Sequence, residues 1–318
     1  MPSSRVRVLN LIPELESQGF NCVVKKYPSR FSDKLKIYSL AKTFDIVFLQ
    51  KRILTALDTY FLRKSSKFLV YDFDDAVYCK QDATHIDSKN SRHRKFKSIA
   101  KQADLIIAGN SILADYASNF NRNISIVPSA VFVKQVPQKD YAICDDTVTI
   151  GWVGGKVNLP YLSLLAPVLA RLSEKYPLKL SIICDESLEM KNVEVDFIPW
   201  DINTQDKEIA RFDIGLMPLA DSIHARGKCG YKALQYMAAG VVPVVSNVGV
   251  NKDIVEHGKL GLVADSIEDF EKVLETLIVD PEKRRNMGQA ARTVVEQQYS
   301  VEAVAKLLAS ELAKLSGR

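Results

Sequence analysis

No apolar run in this 318-residue sequence approaches the roughly 18 residues that a membrane-spanning helix requires. Cysteine is sparse: Cys22, Cys79, Cys144, Cys184 and Cys229 are scattered, odd in number and form no C-x-x-C pair. That argues for reduced thiols and against a zinc site or a disulfide framework. Neither sign of charge dominates, since 43 Lys and Arg face 38 Asp and Glu. The resulting +5 suits an anionic ligand or an acidic membrane surface, but it is too small to imply nucleic acid. There is no G-x-G-x-x-G and no Walker pattern, so a dinucleotide dehydrogenase and a P-loop enzyme lack their phosphate loops. The opening, Met1 to Arg7 followed by the interrupted apolar patch Val8 to Ile12, is too short for a signal-peptide core. A cytosolic location is expected.

What the chain does have is alternation. Short β-branched runs at Asn21–Lys25, Asp45–Leu49, Phe68–Asp72, Asp104–Ala108 and Ile124–Val127 predict strands in the first half. Thr147–Val153, Lys179–Cys184, Val193–Ile198, Asp213–Met217 and Val241–Ser246 do so in the second. Several are apolar almost throughout, as parallel strands buried on both faces must be, and helical patterns separate them. The pattern predicts an α/β protein with parallel sheets covered by helices. A polar stretch, Pro137 to Asp146 with Lys139, Asp140, Asp145 and Asp146, marks the expected boundary. The expected parts are a first domain over 1–140, a second over 141–299 and a terminal helix over 300–318. That helix opens on Ser300 and carries Val301, Val304, Ala305, Leu308, Leu312 and Leu315 at helical spacing.

Two segments carry chemistry. Between Ile214 and Gly261 the pattern is strand, loop, helix from about Gly230 to Ala239, strand, Gly-containing turn and short helix. Ahead of the helix lie Arg226, Gly227, Lys228 and Gly230, and on it Leu234, Met237 and Ala238 predict a core face opposite Lys232 and Gln235. Glycines that admit a ligand, free helix N–H groups and three cations suit a diphosphate; a solvated basic turn would look the same. The other segment, Ile150-Gly151-Trp152-Val153-Gly154-Gly155-Lys156 followed by Asn158 and an apolar helix over Leu159–Leu172, reads as a phosphate-approach turn or a plain tight turn after a parallel strand.

GWVGGKVNLPYL and GKCGYKALQYMAAGVVPVVSNVGVNKDIVEHGKLGLV together resemble the family 4 (group 1) retaining glycosyltransferases. YDFDDAVY, ADLIIAGNSILADYA and IVPSAV resemble the acceptor-side domain of that family. The resemblance implies the GT-B fold, two Rossmann-like domains with parallel sheets facing a central cleft. It implies transfer of a sugar, with retention and without a metal or other cofactor, from a nucleotide sugar to a saccharide or lipid-linked acceptor, in cell-surface polysaccharide or glycan biosynthesis. By the same resemblance Gly154 and Gly155 lie beside the donor phosphates, Lys228 and Lys232 bind the diphosphate with Arg226 near, and Gln235 lies near the ribose. Gly249, Val250 and Asn251 lie by the phosphates.

The family pattern has two glutamates separated by seven residues; here those positions hold Gly227 and Gln235. That leaves Asp221, or His224, to reach the donor sugar. It also keeps open a catalytically impaired nucleotide-sugar-binding or partner protein, alongside a GT-B nucleotide-sugar epimerase. Asp72, Asp74 and Asp75 form a D-x-D-D strand end in the half opposite the donor motifs, where an acceptor-side role is expected rather than metal binding. Arg92, Arg94, Lys95, Lys97 and Lys101 lie with His93 on a predicted helix, either docking on anionic lipid or simply solvated. Without interleaved aromatics they do not predict nucleic-acid binding. Relative to the family the first domain is expected to lack its first strand, unless Arg5 to Ile12 supplies a substitute.

Overall fold

A computed structural model of the chain describes residues 2–81, 83–142, 146–256 and 258–317. Cys144 and Asp145 lie outside them. The chain divides into two units. Unit 1 comprises Met1–Ala130, Ser222–Cys229 and Val301–Arg318, and unit 2 comprises Val131–Asp221 and Gly230–Ser300.

Unit 1 is built on four parallel strands, β1 (Ile46–Gln50), β2 (Phe68–Phe73), β3 (Leu105–Ala108) and β4 (Ile124–Ile126), in the order 1-2-3-4. Gln50 aligns with Asp72, Val70 with Leu105 and Ala108 with Ile126. Leu69, Val70, Tyr71, Ile106 and Ile107 are fully buried, which is why both central strands read as unbroken apolar runs. Helices Ala56–Ser65, Ser91–Gln102 and Ser111–Ser118 follow strands β1 to β3 in turn. Each is started by a side chain that accepts from a free backbone N–H: Thr55 from Asp58, Asn90 from Arg92 and Asn110 from Leu113.

Residues 5–12 do not form a strand. The charged–apolar alternation there coexists with a helical spacing that puts Ser3, Ser4 and Arg7 on one face, and the chain adopts helix Pro2–Arg7, a tight turn at Leu9–Leu11 and helix Ile12–Ser17. That face has partners a strand could not reach together. Ser4 donates to Gln50 at 2.9 Å, Ser3 accepts from Lys51 at 2.8 Å, and Arg7 donates through Nη1 to the Val127 carbonyl at 2.6 Å. The expected strand at Asn21–Lys25 is also absent: Val23 and Val24 are about half exposed and pair with no ladder, so their β-branching is not rewarded by burial. The terminal helix, Val301–Ser316, buries Val301, Val304, Ala305, Leu308 and Leu312 within unit 1 and packs on Ile12–Ser17.

Unit 2 has six parallel strands: β5 (Val148–Val153), β6 (Leu178–Cys184), β7 (Val195–Pro199), β8 (Ile214–Met217), β9 (Val242–Ser246) and β10 (Leu262–Ala264). Their spatial order is β10-β9-β8-β5-β6-β7. The chain winds outward from β5 through β7, then crosses back to β8 and winds the other way. β10, three residues long, is not among the expected strands. The predicted helix over Leu159–Leu172 is two, Leu159–Ser163 and Ala166–Lys175, the second with Pro in its first turn where a missing N–H costs nothing. The polar stretch predicted as a boundary is fastened into unit 2. Lys139 donates its N–H to the Ala239 carbonyl at 2.8 Å and pairs with Asp213 at 3.0 Å, and the Tyr141 hydroxyl donates to the Gly240 carbonyl at 2.5 Å.

Candidate functional site

In an open parallel sheet, ligands bind beyond the carboxyl ends of the strands where the winding reverses. In unit 2 that point lies between β5 and β8, which pair only at Ile150 with Ile214 and Gly151 with Gly215 and then separate. Tyr236, fully buried, spans the separating strands: its hydroxyl accepts from the Val153 N–H at 3.1 Å and donates to the Leu216 carbonyl at 2.9 Å. Gly215 makes room for its ring, since a β-carbon there would lie 2.4 Å from the aromatic carbons. Sequence reading missed Tyr236 because it sits among core residues; the signal was its hydroxyl, which a buried tyrosine must satisfy.

The loop that leaves β5 begins at Gly154. Lys232, in the first turn of helix Tyr231–Ala238, lays its stem across it, so that a β-carbon on Gly154 would meet Lys232 Cε at 2.9 Å and the Trp152 ring at 2.7 Å. The Lys232 ammonium stands 5.4 Å from the Trp152 ring centroid. Gly230, at the N-terminus of that helix, has φ +62°, which a residue with a side chain adopts only at a cost. A β-carbon on it would strike Ile254 at 2.3 Å. Gln235 is half-buried one turn after Lys232. After β9 the chain turns through Gly249, at φ +64°, and Val250 into helix Asn251–Val255. Asn251 is buried and donates to the Ser246 carbonyl at 3.2 Å; its Oδ1 accepts no hydrogen bond among the described residues. Gly154, Lys232, Gln235, Gly249, Val250 and Asn251 are thus all carried by unit 2, on the loops after β5 and β9 and the helix after β8. Gly155 follows, exposed, and Asp221 is exposed at the end of the loop that leaves β8.

Arg226 and Lys228 belong to unit 1, in the segment Ser222–Cys229. Asn110 holds that segment by donating to the carbonyls of Gly227 and Lys228, both at 3.1 Å, and the Cys229 thiol donates to the Asp74 carbonyl at 3.2 Å. Arg226 is exposed at the end of the short helix Ile223–Arg226, which Ser222 caps. Gly227 is packed so closely that a β-carbon would lie 2.9 Å from the Ala76 methyl and 3.0 Å from its backbone nitrogen. No side chain fits there without displacing Ala76. Gly227→Glu should lower stability by roughly 1–3 kcal/mol by overpacking, as read by chemical unfolding, and should create no activity.

The acidic strand end divides. Asp72 is fully buried and bonded in two places to Arg7, so it serves the interior and not an acceptor. Asp74 and Asp75 are held by Lys51, at 3.1 Å from Asp74 and in a closer pair with Asp75. Lys51 follows β1 in the left-handed region at φ +59°, and its pairs raise its pKa against the opposing effect of burial. Strain of this sort persists where surrounding contacts overdetermine it. Lys51 escaped the sequence reading; an unpaired Asp cluster at a strand end was the cue that a neighbouring strand end should supply a cation. Among the described residues no three His, Cys, Asp or Glu side chains cluster as a metal-ligand set.

His224 also lies in unit 1. Burial depresses its pKa below the ordinary 6.5, against the pull of Asp75 and with help from Lys228, Lys51 and Arg92. Below pH 6.5 the unfolded chain then takes up a proton that the folded chain resists, so stability should fall as pH drops from there toward the folded value. Melting curves between about pH 7.5 and about pH 5 should show a shallower decline for His224→Gln than for the natural protein. Equal slopes would place His224 in an ordinary solvated setting. On helix Ser91–Gln102, Arg92, Arg94, Lys97 and Lys101 are exposed and Lys95 half-buried, while Phe96, Ile99 and Ala100 face the core.

Residues 194–294 match the family model of glycosyl transferases group 1. No curated protein matches the chain. The whole fold is similar to HepE of Anabaena, solved in complex with UDP, at TM-score 0.71 and 15% identity over 88% of this chain and 82% of that one. It is similar to a glycosyltransferase from Rickettsia africae at TM-score 0.71 and 13% identity, over 96% and 87% of the two chains. Sucrose-phosphate synthase of Thermosynechococcus elongatus gives TM-score 0.69 and 14% identity over 90% and 77%. The two α/β units with parallel sheets are the architecture of the GT-B glycosyltransferases.

Proposed function

We propose that the protein is a glycosyltransferase that moves a sugar from a nucleoside-diphosphate donor to a saccharide or lipid-linked acceptor, with retention at the anomeric carbon and without a metal ion, in the assembly of a cell-surface polysaccharide or glycan. The observation that carries this reading is the reversal point of unit 2, where glycine loops and the N-terminus of a helix bearing Lys232 meet at the carboxyl ends of β5 and β8. Structural neighbours bound to UDP, and HepE bound to UDP-glucose, support it.

In this reading unit 2 holds the donor. Gly154 and Gly155 let the backbone approach the phosphates, Lys232 takes the charge that grows on the departing diphosphate, and Gln235 bonds ribose hydroxyls. Gly249, Val250 and Asn251 form the far wall. Asp221 is the carboxylate offered to the donor sugar. Fixed cations and helix N–H groups aimed at developing charge need no reorganisation during the reaction. Asp74 and Asp75 serve the acceptor.

The test is turnover of a panel of labelled nucleotide sugars with and without a crude lipid or saccharide acceptor. Label moving into acceptor, with release of nucleoside diphosphate, is the expected result. A changed sugar in the absence of acceptor would instead indicate an epimerase. The packed Gly227 and the amide at Gln235 favour a second reading, a nucleotide-sugar-binding protein without catalysis, for which donor binding without any turnover is the signature.

A further inference from the structure

Helix Ala56–Ser65 is amphipathic the wrong way round for a solvated surface. Its inner face carries Thr59, Leu62 and Ser65, all buried, whereas Leu57, Tyr60, Phe61 and Lys64, at i, i+3, i+4 and i+7, share the outer face. Leu57 is 61% exposed, Tyr60 51% and Phe61 37%. The neighbouring helix, Phe31–Ala41, adds Phe31 at 60% and Leu35 at 51%. The two helices are fastened side by side: Lys34 pairs with Asp58 at 2.8 Å, Tyr38 donates to Asp58 at 3.2 Å, and the Tyr38 and Phe61 rings stack with centroids 5.9 Å apart. Five large apolar side chains thus project from one small region, whereas isolated exposed ones are ordinary.

The two stretches of chain that carry these helices are also basic. Residues 21–42 and 51–67 hold eleven Lys and Arg against two Asp, Asp33 and Asp58. Asp45, Asp74, Asp75 and Asp104 lie outside these stretches and pair with Lys67, Lys51 and Arg63. Counting those four as well leaves five positive charges, equal to the net charge of the whole chain. The cations alternate with the apolar side chains: Lys25 and Lys26 precede Phe31, Lys36 follows Leu35, and the Lys64 ammonium stands 5.8 Å from the Tyr60 ring centroid. Aromatic and aliphatic tips set among lysines are what the boundary between head groups and acyl chains accepts from a helix lying along it. Helix Ser91–Gln102 offers cations alone, since its apolar side chains are turned inward.

We propose that the outer face of helices Phe31–Ala41 and Ala56–Ser65 docks on an anionic lipid bilayer, with Phe31, Leu35, Leu57 and Tyr60 entering the interface and the surrounding lysines and arginines on the head groups. This surface does not depend on the donor-site assignment.

The experiment is co-sedimentation of the full chain with phosphatidylcholine vesicles, with and without phosphatidylglycerol. Binding is expected only with phosphatidylglycerol, weakening as salt rises. The triple variant Leu35→Ser, Leu57→Ser, Tyr60→Ser should lose roughly tenfold or more in vesicle affinity, while Arg94→Glu with Lys97→Glu should lose little. As a second measurement on a minimally altered protein, Leu57→Trp should gain a blue-shifted emission component with the anionic vesicles that the natural protein lacks. The proposal fails if the natural protein ignores phosphatidylglycerol, if the triple variant binds as tightly as its parent, or if the Trp emission does not shift. Retention by an acidic protein without vesicle binding would assign the face to a protein partner and also overturn it.

Discussion

Replacing Lys232 by alanine should weaken binding of the preferred nucleoside diphosphate by roughly ten- to a hundredfold, the worth of a charge-assisted hydrogen bond of about 1.5–3 kcal/mol. Three local features around the side chain support that expectation. Gly154 leaves the space over which its stem runs, the Trp152 ring flanks its ammonium, and the first turn of its helix supplies N–H groups that no intrahelical carbonyl can satisfy. Folding should be little affected, because Lys232 is only half-buried and the core face of its helix is made by Ala233, Leu234, Tyr236 and Met237. Calorimetric titration with a panel of nucleoside diphosphates, run beside Lys228→Ala, checks this. If neither substitution weakens any nucleotide, the donor site has been placed wrongly.

Arg7→Met should be among the most destabilising single substitutions available in unit 1, costing about 3–5 kcal/mol. Arg7 and Asp72 are both almost inaccessible, and the guanidinium spends its donors on both Asp72 oxygens and on the Val127 carbonyl. Removing the cation leaves a carboxylate in the interior, where solvation cannot replace its partner and burial already pushes its pKa up. The whole stability of a domain is typically about 5–15 kcal/mol, so the loss should be visible as an early transition in urea. Asp72→Leu made in the same chain should return part of it, because the pair is then replaced by apolar groups rather than broken. A loss under about 1 kcal/mol for Arg7→Met alone would mean that water reaches Asp72.

These two sites differ in how far the sequence announced them. Lys232 was legible: a lysine two residues after a glycine, at the start of a helix with a clear apolar stripe, has one plausible orientation, and the spacing states it. Arg7 was not, because Arg5-Val6-Arg7-Val8 satisfies a period of two and Ser3, Ser4 and Arg7 satisfy a helical one equally well. The choice fell to the helix because Gln50, Lys51, Asp72 and Val127, distant in sequence, converge on that one face. The same reasoning separates Asp72 from Asp74 and Asp75. Three neighbouring carboxylates look alike in a string of letters, and only their partners tell them apart: buried Arg7 for Asp72, and Lys51 beyond the strand end for Asp74 and Asp75.

Local pattern was sufficient wherever a period spans a whole element: nine of the ten strands, the glycine turns after β5 and β9 and the terminal helix follow from short-range spacing and burial. Tertiary structure decided whatever depended on a partner far along the chain. It turned the first residues into a helix, bridged β5 and β8 with Tyr236, left no room at Gly227 and set an apolar helix face toward solvent. A period records which side of an element is apolar. It does not record what, if anything, will cover that side, because the free energy of burial belongs to the pair of surfaces and not to either one.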